Sequence, residues 1–84
     1  MTVTVYSLPV NQCVKCRGVD IAMRRNEVEY TKVMLDEDPE ALAFVKSLGY
    51  ESAPVVVVTE GDEVVDHFGF KVDKIKELKE RVAA

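Results

Sequence analysis

The 84-residue sequence has no tryptophan, one histidine, two cysteines, three prolines and four glycines, and its 11 Lys and Arg are outnumbered by 15 Asp and Glu. Each scarcity argues against a class of protein. A net charge of -4 disfavours a generic surface for nucleic acid or an anionic membrane, because such surfaces need clustered Lys and Arg. No apolar run approaches the roughly 20 residues that a membrane-spanning helix needs. The opening "MTVTVYSL" has neither the basic start nor the apolar core of a cleaved leader. The expected compartment is therefore the cytoplasm, where lasting disulfides are rare. No repeat, low-complexity tract or linker interrupts the chain, so a single domain over residues 1–84 is expected. What remains, 48% hydrophobic and 31% charged residues, is the balance of an ordinary globular protein.

Periodicity orders the chain. "TVTVYS" (2–7) alternates and is β-branched, which predicts a strand. "LPVNQ" follows as a loop. From Cys13 to about Asn26 the pattern is helical, with Val14, Gly18, Ile21, Ala22 and Arg25 on one face; Gly18 would let a strand or sheet approach closely. "EVEYTKVML" (27–35) reads as a second strand. Asp38 and Pro39 predict a helix start and Gly49 its end, with Leu42, Val45 and Leu48 buried and Ala41 and Phe44 beside them. "PVVVVT" (54–59) is a continuous apolar run, as in a strand covered on both faces. "EGD" turns it into a hairpin with "EVVDHF" as the edge strand. Asp73 is expected to cap a last helix with Ile75, Leu78 and Val82 inward. The order βαβαββα predicts an α/β fold. One mixed four-stranded sheet is flanked by three helices, the first two strands parallel and the last two a hairpin.

The chemistry lies in "NQCVKCRG" (11–18), which holds Cys13 and Cys16. A structural bridge between them would close a very short loop and stabilise little. Zinc would take four ligands, and two thiols with His67 fall short unless a dimer pools its thiols. A reactive pair fits the placement between a strand and a helix start. There, unpaired N–H groups and the positive helix end favour the thiolate of Cys13. Cys16, nearly a turn further on, is in reach to close an intramolecular disulfide. Cys13 would attack a partner disulfide and Cys16 would resolve the mixed disulfide. Lys15 and Arg17 add positive potential beside Cys13, though as exposed charges they are heavily screened.

The stretches "TVTVYSLP", "CVKC", "ALAFVKSLGYESAPVVV" and "GFKVDKI" together resemble the thioredoxin and glutaredoxin superfamily. "LGY" before "APVVV", and "GF" after the hairpin, resemble its NrdH-redoxins. The resemblance implies the thioredoxin/glutaredoxin fold and a cis Ala53–Pro54 bond beside the cysteines. It also implies partner contacts through Ala53, Pro54, Val55, Gly69 and Phe70. It further implies a monomeric thiol–disulfide oxidoreductase without a bound cofactor or metal. Such a carrier would be reduced by thioredoxin reductase with NADPH and would donate electrons to class Ib ribonucleotide reductase. A glutathione-dependent glutaredoxin is the alternative, and a dimeric metal- or cluster-binding module a further one.

The sequence departs from that family in three places. "HFGFKVD" (67–73) stands where the family has Trp-Ser-Gly-Phe-Arg-Pro-Asp, so His67 replaces a tryptophan and Lys71 and Val72 replace Arg-Pro. The loop before Cys13 is longer, and Leu8 stands where glutaredoxins carry a basic residue for glutathione. His67 could sense the thiol site, although a lone strand histidine is more often a surface residue. Lys71 or Lys15 could meet a glutathione carboxylate. Tyr6, Met23 and Met34 read as packing residues.

Overall fold

Alternation along "TVTVYS" sends Val3 and Val5 to one side, both almost wholly buried, and this strand organises the sheet. The structure is a computed structural model that describes residues 1–9 and 11–83, with side chains through Arg81. The expected inward position of Val82, and Val10 in the loop before Cys13, lie outside what it describes. Strand β1 (Thr2–Ser7) is followed by helix α1 (Val14–Arg25), strand β2 (Thr31–Met34) and helix α2 (Pro39–Ser47). Strands β3 (Val55–Glu60) and β4 (Glu63–Phe68) and helix α3 (Val72–Ala83) complete the order.

The sheet runs β2-β1-β3-β4. β1 and β2 are parallel, and β3 is antiparallel to both β1 and β4. α1 and α3 cover one face, packing Val19, Met23, Ile75 and Leu78 on Val3, Val5, Val56 and Val58. α2 covers the other, packing Ala41 and Val45 on Val55 and Val57. All four valines of β3 are at most 1% exposed, as expected for a strand covered on both sides. On β4 one extra residue, Val65, separates the pairs Val58–Asp66 and Thr59–Val64. Such a bulge discourages edge-to-edge association.

Four expectations need correction. Of the face expected for α1, Ala22 is buried, but Val14 and Ile21 are 86% and 41% exposed; the helix instead turns inward Cys16, Val19, Asp20 and Met23. These four sit at i, i+3, i+4 and i+7 and form one stripe, disguised in the sequence by the carboxylate of Asp20. β2 is shorter than 27–35 because the end of α1 occupies its first residues. Val28 N–H donates to Met23 O and Glu27 N–H to Arg24 O, with Glu27 at φ 55°, a helix stop of the Schellman type. α2 starts as expected, with Asp38 accepting from Ala41 N–H at 3.0 Å. Gly49, at φ 98°, ends it, but Leu42 is 38% exposed and the inward row is Ala41, Val45 and half-buried Leu48. Finally, Asp73 lies inside the first turn of α3, while Lys71 C=O accepts the Ile75 N–H, so the helix begins earlier than expected.

Asp20 is accounted for by two partners from the second strand region. Tyr30 Oη donates to it at 2.8 Å and Lys32 Nζ at 2.6 Å, from alternate positions that share a sheet face. Burial, then the hydrogen bond to and charge of Asp20, push the Tyr30 phenol up to about 12 from its ordinary 10.0. A phenol raised in the fold contributes stability that is complete below pH 10 and is lost as the pH rises toward 12. Alkaline titration at 295 nm should therefore show Tyr30 ionising well above free tyrosine. An Asp20→Asn variant should bring it down; an unchanged midpoint would contradict the pairing.

Candidate functional site

The cysteines sit where β1 hands over to α1. Cys13 is extended, at φ -143° and ψ 96°, and caps the helix: its Sγ accepts from the Cys16 N–H at 3.1 Å. Cys16 lies in the first turn and is wholly buried, whereas Cys13 is half-exposed. The two are joined as a disulfide with Cα atoms 5.2 Å apart. A helix start presents N–H donors and a positive dipole end, which stabilise negative charge on the sulfur that they meet.

The loop before β3 closes over this pair. Ala53–Pro54 is cis, and Ala53 O lies 4.0 Å from Cys13 Sγ. The 69–70 turn reaches the same end of the sheet, where a Cβ on Gly69 would stand 3.7 Å from Pro54 O. Cys13, Cys16, Ala53, Pro54 and Gly69, scattered in the sequence, are thus brought together. Val55 is wholly buried and pairs with Tyr6 in the ladder, so it offers no side chain to a partner.

Phe70 explains Gly18. A Cβ on Gly18 would lie 2.8 Å from Phe70 Cζ, so the glycine admits a ring rather than the strand or sheet expected from the sequence. Gly18→Ala would gain about 1 kcal/mol of helix propensity while displacing a ring that is 40% exposed and free to move outward. We expect a net stability change within about 1 kcal/mol together with a shift of the Phe70 ring resonances. An unmoved ring would refute the contact.

The expected modulators are dispersed. Lys15 and Arg17 are exposed in the first turn of α1, and Lys71 is exposed at the start of α3. His67 lies on the α2 side of β4, with Nδ1 2.8 Å from Tyr50 Oη and the rings edge-on at 5.5 Å. It has the partner that the sequence did not reveal, and that partner is not a cysteine. Tyr6 packs against Phe44 with the rings tilted by 49° and their centroids 5.6 Å apart. Leu8, with Leu35, Leu42 and Ala53, lines a largely apolar cavity of about 200 Å³. Among the described residues, no three His, Cys, Asp or Glu side chains gather as metal ligands, and no helix is long and apolar enough to cross a membrane.

A glutaredoxin profile matches residues 3–65. The chain belongs to the glutaredoxin family. It is 31% identical over 78 residues to the glutaredoxin-like protein NrdH of Escherichia coli K12, covering 93% of this chain and 89% of that one. The glutaredoxin-like protein NrdH of Lactococcus lactis subsp. cremoris MG1363 is 35% identical over 54 residues, 64% of this chain and 72% of its own. The solved NrdH-redoxin of Escherichia coli shares the fold with a TM-score of 0.73 at 31% identity, covering 93% of this chain and 95% of that one. The protein is an NrdH-type glutaredoxin-like redox protein with a C-x-x-C pair. Its thioredoxin-like fold carries that pair at the start of α1.

Two polar contacts of this NrdH-type fold left no plain trace in the sequence. Asp20 was hidden because a charge inside an apolar period looks like an interruption of it; its signal was the pairing of the 16-19-20-23 spacing with Tyr30 and Lys32. Tyr50 left no local signal, since the β3–β4 hairpin alone brings His67 to it.

Proposed function

We propose that this NrdH-type protein is a single-domain, monomeric cytoplasmic carrier of electrons between thiols and disulfides. It takes them from thioredoxin reductase and NADPH and passes them to class Ib ribonucleotide reductase. The observation that carries the reading is the asymmetry of the pair, a half-exposed Cys13 at the helix start against a wholly buried Cys16. In the reduced protein the Cys13 thiolate attacks one sulfur of a partner disulfide. The other partner sulfur leaves as a thiol, and a mixed disulfide forms. Cys16 then attacks Cys13 Sγ, releasing the second partner thiol and forming the Cys13–Cys16 disulfide. Two electrons and two protons pass to the partner. Ala53 C=O, 4.0 Å from Cys13 Sγ, pairs with an extended partner segment in this reading. Lys15 and Arg17 add positive potential at half-buried Cys13. His67 and Lys71 act at most at the border of the site.

The reductase is supported by likeness. The E. coli NrdH-redoxin is described by its thioredoxin-like activity profile, and here Leu8 stands where glutaredoxins carry a basic residue for glutathione. The test is a coupled NADPH assay in which the oxidised protein meets thioredoxin reductase, or glutathione with glutathione reductase. Disulfide-form class Ib ribonucleotide reductase serves as acceptor. We expect thioredoxin reductase to support turnover at least about tenfold faster, a transition-state difference of about 1.4 kcal/mol. A faster glutathione arm would replace the reading with a glutathione-dependent glutaredoxin.

A further inference from the structure

The exposed side of helix α1 extends well beyond the cysteine pair and the two cations beside it. The helix bears five charged residues, Lys15, Arg17, Asp20, Arg24 and Arg25. The single anion, Asp20, is buried against Tyr30 and Lys32. The four cations are exposed, and among the described residues none of them is in an ion pair. A chain of net charge -4 thus shows solvent one helix with cations only. Apolar groups lie among them: Val14 is 86% exposed, Ile21 41%, and Phe70, seated on Gly18, 40%. Positions 14, 17, 18, 21 and 25 recur every three or four residues and form one stripe. The stripe begins beside Cys13 and ends about 18 Å away at Arg25.

We infer that this face docks an acidic segment of a redox partner, one that carries an apolar side chain close to its disulfide. The inference rests on the carrier reading above and adds the chemistry of the partner. Continuity with Cys13 favours a protein, because only a disulfide-bearing chain has business at that end of the stripe. The apolar centre formed by Val14, Phe70 and Ile21 has no counterpart on a phosphate backbone. Symmetric pairing of this face with the same face of a second copy would set like charges together and be repelled. Opposite charge draws the segment in, and the apolar contact seats its disulfide over Cys13.

Three synthetic peptides with the same intramolecular Cys-x-x-Cys disulfide test this, flanked by Glu and Leu, by Lys and Leu, or by Glu and Ser. In each reaction the protein dithiol becomes a disulfide and the peptide disulfide becomes two thiols. At low ionic strength the Glu–Leu peptide should be reduced roughly 10–100 times faster than the Lys–Leu peptide. Salt of about 0.5 M should erase most of that ratio. Arg25→Glu, about 18 Å from the sulfur, should shrink the ratio several-fold while leaving the rate of Cys13 alkylation unchanged at about 0.1 M salt, where that distance exceeds the Debye length of about 10 Å. Ile21→Ser should narrow the gap between the Glu–Leu and Glu–Ser peptides. Equal rates for the Glu–Leu and Lys–Leu peptides would overturn the inference and leave the carrier reading standing. So would a mixed-sequence single-stranded oligonucleotide that inhibits as well as a cysteine-free acidic peptide. Failure to reduce any of the peptides would overturn both.

Discussion

A Cys16→Ser variant is expected to stop at the mixed disulfide, with steady-state turnover down on the order of 10³-fold or more. Incubated with a disulfide-bearing partner, it should accumulate a covalent complex that a reducing agent dissolves. A Cys13→Ser variant should lose turnover to the same degree and form no complex. The difference follows from position. Cys13 is the half-exposed cap that meets the Cys16 N–H and faces Ala53 O, and Cys16 is wholly buried and can reach only Cys13. Non-reducing gels and intact mass read both variants. Limiting iodoacetamide on the reduced wild type should label Cys13 first, and preferential labelling of Cys16 would reverse the assignment of roles.

Lys32→Met is expected to destabilise the fold by about 2–3 kcal/mol, and Asp20→Asn by only about 1 kcal/mol. The two residues form one ion pair at 2.6 Å, yet the Lys32 side chain is 33% exposed and that of Asp20 10%. Removing the lysine leaves a carboxylate in the interior with Tyr30 as its remaining donor. Removing the negative charge leaves a cation that can turn into water. The Lys32→Met value sits below the full cost of an orphaned buried charge because the Tyr30 hydrogen bond survives. Against a total stability of about 5–10 kcal/mol for a chain of this size, the lysine variant should show a plainly lower urea midpoint. Equal midpoints for the two variants would mean that the carboxylate is hydrated rather than enclosed.

Much of the site was legible because its signals are local. Cys13 and Cys16 announce themselves by spacing and by a place between a strand and a helix. Asp38, Pro39 and Gly49 bracket α2 through side-chain and backbone rules that act within four residues. The cis Ala53–Pro54 bond came from family resemblance, since the residues alone read as an ordinary strand start. The buried face of α1 was misjudged because Val14 and Ile21 are as apolar as Val19 and Met23. Local pattern cannot say which of two apolar stripes the sheet will meet. Asp20 settled the matter only once Tyr30 and Lys32 were beside it.

By itself the sequence determined the element order, the sheet with its valine-rich central strand, the cysteine pair and the helix that begins between its members. These depend on periodicity, caps and spacing, all of which act over a few residues. Tertiary structure alone decided that Ala53 O faces Cys13, that Phe70 sits on Gly18, that His67 meets Tyr50, and that the cationic stripe of α1 looks outward. Each of these joins residues 17 to 52 positions apart, or turns on which side of a helix meets the sheet. They follow from how β1, β3 and β4 are ordered and how α1 and α3 share one face, and contacts across that distance leave no mark on local pattern.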